Sequence, residues 1–241
     1  MQCLIIAAGR GSRLAHRFPL KPLAPVAGTP LIERVMALAA GQGIREFVIV
    51  GGYRCTELET FVPQAAARLG VTATVLDNAE WRRENGYSVL AARDAIRGGF
   101  VMLMADHLFD GRLLGAVLDA AVGGDQVALA VDARVAAHPH IDLDDVTKVL
   151  VRDGRIVEIG KCLAAYNGFD TGIFRCTPAL FAALEESVRR GDGSLSGGIR
   201  VLAARGDALA LDSGGRFWID VDDERALKLA EAHVAGGAPR F

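Results

Sequence analysis

The stretch from Leu4 to Pro25, LIIAAGRGSRLAHRFPLKPLAP, decides the fold of this chain. It opens with a three-residue apolar run, Leu4–Ile6, which suits a buried parallel strand and is too short for a helix. Small residues follow from Ala7 onward, and small side chains let a polyanion lie against successive backbone N–H groups. Arg13 and, after a loop, Lys21 bring positive charge to the same place. This order is typical of the opening of a nucleotide-binding domain.

Two common phosphate loops do not fit this segment. A Walker loop needs Gly, four residues, Gly, Lys and Ser or Thr, and no such run occurs. A dinucleotide fingerprint needs a third glycine where Leu14 stands. A glycine-rich turn between a strand and a helix, without a ligand, is the alternative. Lys21-Pro22-Leu23 favours a functional loop, because Pro22 restricts the backbone beside the Lys21 ammonium.

Composition excludes several classes of partner and suggests a compartment. The 241 residues carry 27 basic and 29 acidic side chains, a net charge of −2, which argues against nucleic acid and anionic membranes. The four cysteines are far apart and form no CxxC pair, as expected for reduced thiols in a cytoplasmic protein. The N-terminus does not have the pattern of a signal peptide, and no apolar run reaches the length of a membrane span.

Apolar runs alternate with helical patterns over the first half of the chain, which predicts βαβ units and a mostly parallel sheet. Beyond Gly124 strands follow one another without long helices, and Asp153-Gly154 is a strong hairpin signal. We therefore expect one α/β domain over residues 1–241. Its central sheet is Rossmann-like and sandwiched by helices, with a small antiparallel lobe over about residues 132–175.

Several helix ends are also predicted from local signals. Thr29-Pro30 predicts a helix capped by Thr29 with Pro30 in its first turn. A polar turn at 84–88 leads into a helix expected from about Val89 to Ile96. Asp222 is the residue best placed to cap the terminal helix, which leaves Asp220 free for another role.

Asp106 directly follows a strongly apolar strand predicted over Phe100 to Met104. A carboxylate at that position lies at the ligand-binding edge of a parallel sheet. The alternative is a helix cap for the segment that begins near Asp110. His107 is better explained by packing or by contact with another side chain than as a metal ligand, because no second histidine stands at metal-ligand spacing.

These segments resemble the sugar-phosphate nucleotidylyltransferase superfamily and, within it, the CTP:inositol-1-phosphate cytidylyltransferases. The first landmark is LIIAAGRGSRL with Lys21-Pro22-Leu23. The later landmarks occur in the family order: NGYS at 85–88, ADH at 105–107, VTK at 146–148, EIGK at 158–161, DTG at 170–172 and WIDVDD at 218–223. The resemblance covers nearly the whole chain and implies a nucleotide-diphospho-sugar transferase fold.

The resemblance also implies a reaction and a role for individual residues. A phosphate oxygen of the acceptor attacks the α-phosphorus of CTP, and pyrophosphate leaves. The catalytic cations are Arg13 and Lys21, and Asp106 and Asp220 hold Mg²⁺. The nucleotide-binding residues are Ala7, Ala8, Gly9, Gly11, Ser12, Asn85, Gly86 and Ser88. The acceptor-binding residues are Lys148, Lys161, Asp170 and Thr171.

The acceptor itself stays open between a polyol phosphate and phosphocholine. Only 6% of the residues are aromatic, which disfavours an aromatic cage for a quaternary ammonium. Polar side chains after Gly124 suit a polyol, and inositol 1-phosphate is the acceptor we expect. Phosphocholine, an aminoalkylphosphonate or a hexose 1-phosphate are the alternatives, and a non-catalytic regulatory subunit is a more remote one. A dehydrogenase is disfavoured by the missing third glycine.

The sequence specifies less about binding partners and about the roles of several cationic side chains. A CDP-alcohol product would be used by a separate membrane phosphotransferase, since no such domain is recognised here. A homodimer is an open expectation that no segment argues for. The alternative for Lys148 is the solvated face of its strand, and the alternative for Lys161 is an ordinary surface position after the hairpin. His16, Arg17, His138 and His140 have no assigned role, although a surface loop explains the last two better than a metal site does.

Overall fold

A nine-stranded sheet runs through the chain in the computed structural model, which describes residues 1–11, 13–136 and 141–236. The strands are β1 Gln2–Ile6, β2 Pro25–Val26, β3 Thr29–Pro30, β4 Glu46–Gly51, β5 Thr72–Asp77, β6 Phe100–Met104, β7 His107–Phe109, β8 Val127–Asp132, β9 Lys148–Arg152, β10 Arg155–Gly160, β11 Gly168–Cys176, β12 Ala208–Asp212 and β13 Trp218–Asp220. The helices are α1 Leu31–Gly41, α2 Cys55–Leu69, α3 Gly86–Leu90, α4 Gly111–Asp119, α5 Ala179–Arg189, α6 Leu195–Ala204 and α7 Glu224–Ala235, with a 3₁₀ helix at Lys21–Leu23.

The sheet order is β5-β4-β1-β6-β11-β8-β12-β10-β9. β1 lies parallel to β4 and β6, β4 to β5, and β8 to β12, so the predicted mostly parallel α/β fold is confirmed. β11 lies antiparallel between β6 and β8 and joins the two parallel halves. The β9–β10 hairpin turns at Asp153 and Gly154, both at positive φ, and extends the same sheet through β12. The antiparallel part is therefore continuous with the main sheet.

Both faces of the sheet are covered, which explains its continuous apolar strands. Cys3 and Ile5 of β1 pack into a core with α1, α2, α4 and α7, whereas Leu4 packs into a second core with α3, α5 and α6. Successive side chains of a strand point to opposite faces, so a strand with helices on both sides must be apolar at every position. The parallel strand ends remain open to ligands.

Three predicted helix boundaries are wrong. Thr29-Pro30 does not start a helix; it forms β3, which pairs with β2 across a turn at positive φ, and α1 begins at Leu31. Instead of the helix expected from about Val89 to Ile96, the structure has the shorter α3 at Gly86–Leu90. The residues after it form turns in which most bonds are i→i−3, such as Ala92 N to Val89 O. Asp223, not Asp222, caps α7 by accepting from Ala226 N.

In the three described ranges, no helix combines the length and the hydropathy that crossing a bilayer requires.

Candidate active site

The loop after β1 lies at the carboxyl edge of the parallel strands, between the ends of β4 and β6. Ala7 N donates to Val50 O at 2.8 Å, and Ala105 N donates to Ile6 O at 3.0 Å. Gly9 faces open space, since a Cβ there would contact nothing within 4 Å. Ala7, Ala8, Gly9 and Gly11 all line a cavity of about 320 Å³. The loop therefore borders a cavity with bare backbone, as a phosphate loop requires.

Gly11 holds the loop against Lys21. Its φ is +61°, and an added Cβ would lie 2.5 Å from the Lys21 Cβ. Glycine is therefore required here for both conformation and space.

Lys21 is buried among three carboxylates, although the sequence places it in a polar loop. Its Nζ lies 2.6 Å from Asp106 Oδ2 and 3.5 Å from Asp220 Oδ1, and it also pairs with Asp222. Burial lowers the pKa of Lys21, but the three carboxylates outweigh it and hold that pKa above its usual value. The ammonium is the positive centre of the site.

Asp106 and Asp220 meet because the short strands β7 and β13 pair, with Asp220 opposite His107. Burial and, to a smaller extent, the neighbouring Asp106 raise the pKa of Asp220 to about 7, although His107 and Lys21 lower it. Burial also raises the pKa of Asp106, but Lys21 and His107 lower it more, so this carboxyl stays ionised. Among the described side chains, Asp220 Oδ1 is buried without a hydrogen-bond donor.

This donor set fits a divalent cation. Ligand atoms of Asp106, His107 and Asp220 all lie within 4.8 Å of one another. Paired carboxylate oxygens are the ligands that hard cations prefer. The buried Asp220 oxygen has no hydrogen-bond donor among the described residues, and a bound cation would satisfy it instead.

Arg13 and Lys161 approach each other through Asp145, one of the polar side chains after Gly124 that the sequence offers for a polyol acceptor. Arg13 donates to Asp145 and, at 2.7 Å, to Asp222 Oδ2. Lys161 Nζ lies 2.5 Å from the other oxygen of Asp145. The bond from Lys161 lowers the pKa of Asp145 to about 2 against the effect of burial, and Arg13 adds to this. A single carboxylate thus joins a cation of the phosphate loop to one that follows the β9–β10 hairpin.

A larger cavity of about 540 Å³ lies beside the first. Lys161 and Asp170 line it, as do Arg13, Asp106 and Asp220. Asp170 is held by Gly172 N at 2.8 Å, and burial raises the pKa of its carboxyl to about 6.

Lys148 and Thr171 are not among the residues that line this cavity. Lys148 Nζ donates to the carbonyl oxygens of Leu143 and Lys161, at 2.8 and 2.9 Å. The Thr171 hydroxyl is fully buried and donates to Ala130 O at 2.8 Å. Both side chains are engaged with backbone carbonyls and so support the cavity from behind.

Asn85, Gly86 and Ser88 form a turn at the border of the two cavities. Asn85 lines both, and its Oδ1 accepts from Leu195 N at 2.8 Å. Gly86 N donates to Gly193 O at 3.0 Å, and Ser88 Oγ accepts from Asn78 Nδ2 at 3.0 Å. Gly86 and Ser88 are buried behind Asn85. Ser12, His138 and His140 lie outside the described residues.

Acidic residues of the last strand and helix hold the phosphate loop. Besides Asp222, Glu224 pairs with Arg17 at 2.8 Å and lies 3.7 Å from the His16 ring. Sequence reasoning left Arg17 and His16 unassigned. The dense acidic run at 220–224 was a signal in the sequence, but its partners lie some 200 residues away.

Comparison with known proteins was made on the sequence and on the fold. A family model described as "MobA-like NTP transferase domain" matches residues 3–152. The chain is 37% identical over 97% of its length to a "Bifunctional IPC transferase and DIPP synthase" of Rubrobacter xylanophilus, and 33% identical over 96% to one of Aquifex aeolicus. It spans 52% and 51% of these two relatives, about half of their length.

One solved structure matches the whole chain closely. The inositol-1-phosphate CTP transferase from T. maritima superposes with a TM-score of 0.86 at 26% identity, covering 100% of this chain and 97% of that one. A putative glucose-1-phosphate thymidylyltransferase from Bacillus anthracis matches with a TM-score of 0.80 at 18% identity, over 100% of this chain and 97% of that one. The second likeness concerns the fold alone.

Proposed function

We propose, since this chain belongs to the MobA-like NTP transferase family, that it is a nucleotidyltransferase transferring CMP from CTP to inositol 1-phosphate with release of pyrophosphate. One observation carries this proposal: Lys21 meets the carboxylates of Asp106 and Asp220, and Asp222 holds Arg13 beside it, where a cavity of about 320 Å³ adjoins a larger one. The names of the relatives supply the choice of CTP and of inositol 1-phosphate.

The reaction needs positioned charge and no protein nucleophile. An oxygen of the acceptor phosphate forms a bond to the α-phosphorus, while the bond from that phosphorus to the bridging oxygen of the β-phosphate breaks. Negative charge on the phosphoryl oxygens is neutralised by Arg13 and Lys21, which preorganisation makes effective in a water-poor site. Asp222 holds both cations in place.

Family members generally use a divalent metal, and we propose Mg²⁺ held by Asp106 and Asp220. The bound ion would neutralise phosphate charge in the reaction. Lys21 would then share its carboxylate partners with the metal and turn towards the triphosphate.

The smaller cavity is our proposed nucleotide site. Gly9 and Gly11 would present backbone to the triphosphate with Ala7, Ala8 and Ser12, and Asn85 would separate nucleotide from acceptor. Gly86 and Ser88 would not contact the base in this conformation. They would act by positioning Asn85, or would contact the base after this segment moves.

The larger cavity is our proposed acceptor site. Lys161 and Arg13 would bind the acceptor phosphate in place of Asp145, and Asp170 would accept hydrogen bonds from its hydroxyl groups. Lys148 and Thr171 would act indirectly, by supporting the segments that carry Lys161 and Asp170.

Broader assignments are also proposals. We propose that residues 1–241 form one domain, since the sheet is continuous through β11 and β12. The four free cysteines support a cytoplasmic location. We also propose a homodimer, to be tested by sedimentation, and a membrane phosphotransferase that consumes the CDP-alcohol, to be tested by a coupled assay.

The test is pyrophosphate release with each of the four NTPs and a panel of phosphorylated alcohols. We expect the highest kcat/KM for CTP with inositol 1-phosphate and a sharp drop for phosphocholine. A preference for phosphocholine or 2-aminoethylphosphonate would overturn the polyol assignment alone. If no pair of substrates released pyrophosphate, the proposed nucleotidyltransferase activity itself would be overturned.

A further inference from the structure

His107 has a free edge that the proposed reaction does not yet use. Its Nδ1 lies 2.8 Å from Asp106 Oδ1. An ionised carboxylate only accepts, so Nδ1 is the donor of this bond. Nε2 makes no hydrogen bond to any residue in the described ranges, and His107 lines the larger cavity but not the smaller one.

Two neighbours fix the imidazole ring. Asp106 holds the Nδ1 edge, and Trp218 lies parallel to the ring at 15° with centroids 6.4 Å apart. Trp218 is itself held by the fully buried Asp132, which accepts from its Nε1 at 2.8 Å. The ring therefore presents its Nε2 edge in one orientation.

Gly172 leaves room for that edge. A Cβ on Gly172 would lie 2.7 Å from Cδ2 and 2.8 Å from Nε2 of His107, so only glycine lets the ring reach this wall. Gly172 N also donates to Asp170, and all three residues line the same cavity. His107 Nε2 and the Asp170 carboxylate are thus two polar groups on one wall of the proposed acceptor site.

We propose that His107 determines acceptor specificity by binding a ring hydroxyl of a polyol phosphate through Nε2, while its Nδ1 orients Asp106. A hydroxyl both donates and accepts, so it can pair with this nitrogen and with Asp170 at once. A quaternary ammonium offers neither donor nor acceptor to Nε2. This inference rests on the proposed function and names the acceptor class of the same site.

Two substitutions separate the edges of the ring. His107→Asn keeps a donor near Nδ1 and deletes Nε2, whereas His107→Gln keeps a polar atom near Nε2 and withdraws from Asp106. We expect H107N to lower kcat/KM for inositol 1-phosphate about 10- to 100-fold through the KM of the acceptor. The KM for CTP and Mn²⁺ binding measured by electron paramagnetic resonance should stay within about twofold. H107Q should weaken Mn²⁺ binding more than acceptor binding. The control is Gln64→Asn, an exposed residue of α2 that lines neither cavity.

Acceptors lacking one hydroxyl provide a second arm. The unmodified enzyme should turn over one monodeoxy inositol 1-phosphate more slowly than inositol 1-phosphate itself. H107N should turn over these two acceptors at the same rate. The proposal is overturned if H107N weakens Mn²⁺ binding and kcat while the acceptor KM is unchanged, or if every deoxy analogue loses equally in both enzymes. No turnover of CTP with any polyol phosphate by the unmodified enzyme would instead overturn the proposed function, and this inference with it.

Discussion

At the scale of single residues, Lys21 supplies the positive charge that balances three carboxylates of the site. Lys21→Ala leaves Asp106, Asp220 and Asp222 without the ammonium that pairs with all three. Removing one partner of a buried ion pair leaves the other charge uncompensated. We therefore expect the free energy of unfolding to fall by about 3 kcal/mol when EDTA keeps metal ions away from the site. Mg²⁺ should restore part of it, and turnover should fall about 10²- to 10³-fold.

Chemical denaturation with and without Mg²⁺ measures the first effect, and pyrophosphate release the second. Lys228→Ala, an exposed lysine on α7, is the matched control. Near-normal turnover in folded Lys21→Ala protein would remove this lysine from the mechanism.

Asp106→Asn and Asp220→Asn test whether the two carboxylates hold one ion. Each should abolish metal-dependent pyrophosphate release, and the double variant should lose little more, since both serve one site. Initial rates against Mg²⁺ concentration provide the measurement. Strictly multiplicative losses, or activity that survives chelating agents, would contradict a shared metal site.

Asp170 makes stability depend on pH. Its folded pKa of about 6 exceeds the usual carboxyl value, so the folded state binds more protons between about pH 4 and 6. The contribution of Asp170 to the free energy of unfolding therefore falls as pH rises through that window and is flat above it. Asp170→Asn should remove this contribution. Between pH 4 and pH 7.5 the unmodified chain should therefore lose about 3 kcal/mol more of its free energy of unfolding than the variant does. Urea unfolding at pH 4, 5, 6 and 7.5 would show it; parallel pH profiles would refute it.

At the scale of elements, the contact between α3 and the turn before α6 positions Asn85. Gly86 packs so closely that a Cβ would lie 2.4 Å from Gly193 O. Gly86→Ala must push the two elements apart, which we expect to cost about 1–3 kcal/mol of stability and to raise the KM for CTP. Gly123→Ala is the matched control, because a Cβ there meets nothing within 4 Å. Thermal unfolding and steady-state rates give the comparison, and equal behaviour of the two variants would show that this packing is not needed.

At the scale of the whole molecule, the family match ends at residue 152 but the sheet does not. β11 lies between β6 and β8, β12 pairs with β8, and β13 carries Asp220. A fragment of residues 1–152 would expose the edges of β6 and β8, so we expect it to show no cooperative unfolding and no activity. Circular dichroism during urea unfolding is the measurement. A cooperatively folded fragment would contradict the single-domain proposal.

Local chemistry determined much of this protein from the sequence alone. The apolar runs of β1, β4 and β6, the bare loop after β1, the Asp153-Gly154 hairpin and the strand-end position of Asp106 were all predictable, because period, turn conformation and small side chains act within a few residues. Family resemblance added Asp220 and Lys161, and both line the larger cavity.

Only the tertiary structure decided which charges meet. Lys21 and Asp222 are 201 residues apart, Arg13 and Asp222 209 residues, and Arg13 and Asp145 132 residues. No local pattern specifies such partners; they follow from the pairing of β7 with β13 and from the insertion of β11 into the sheet. The same long-range packing buried Lys21, turned Thr171 away from the cavity and placed His107 in the cavity wall beside Gly172.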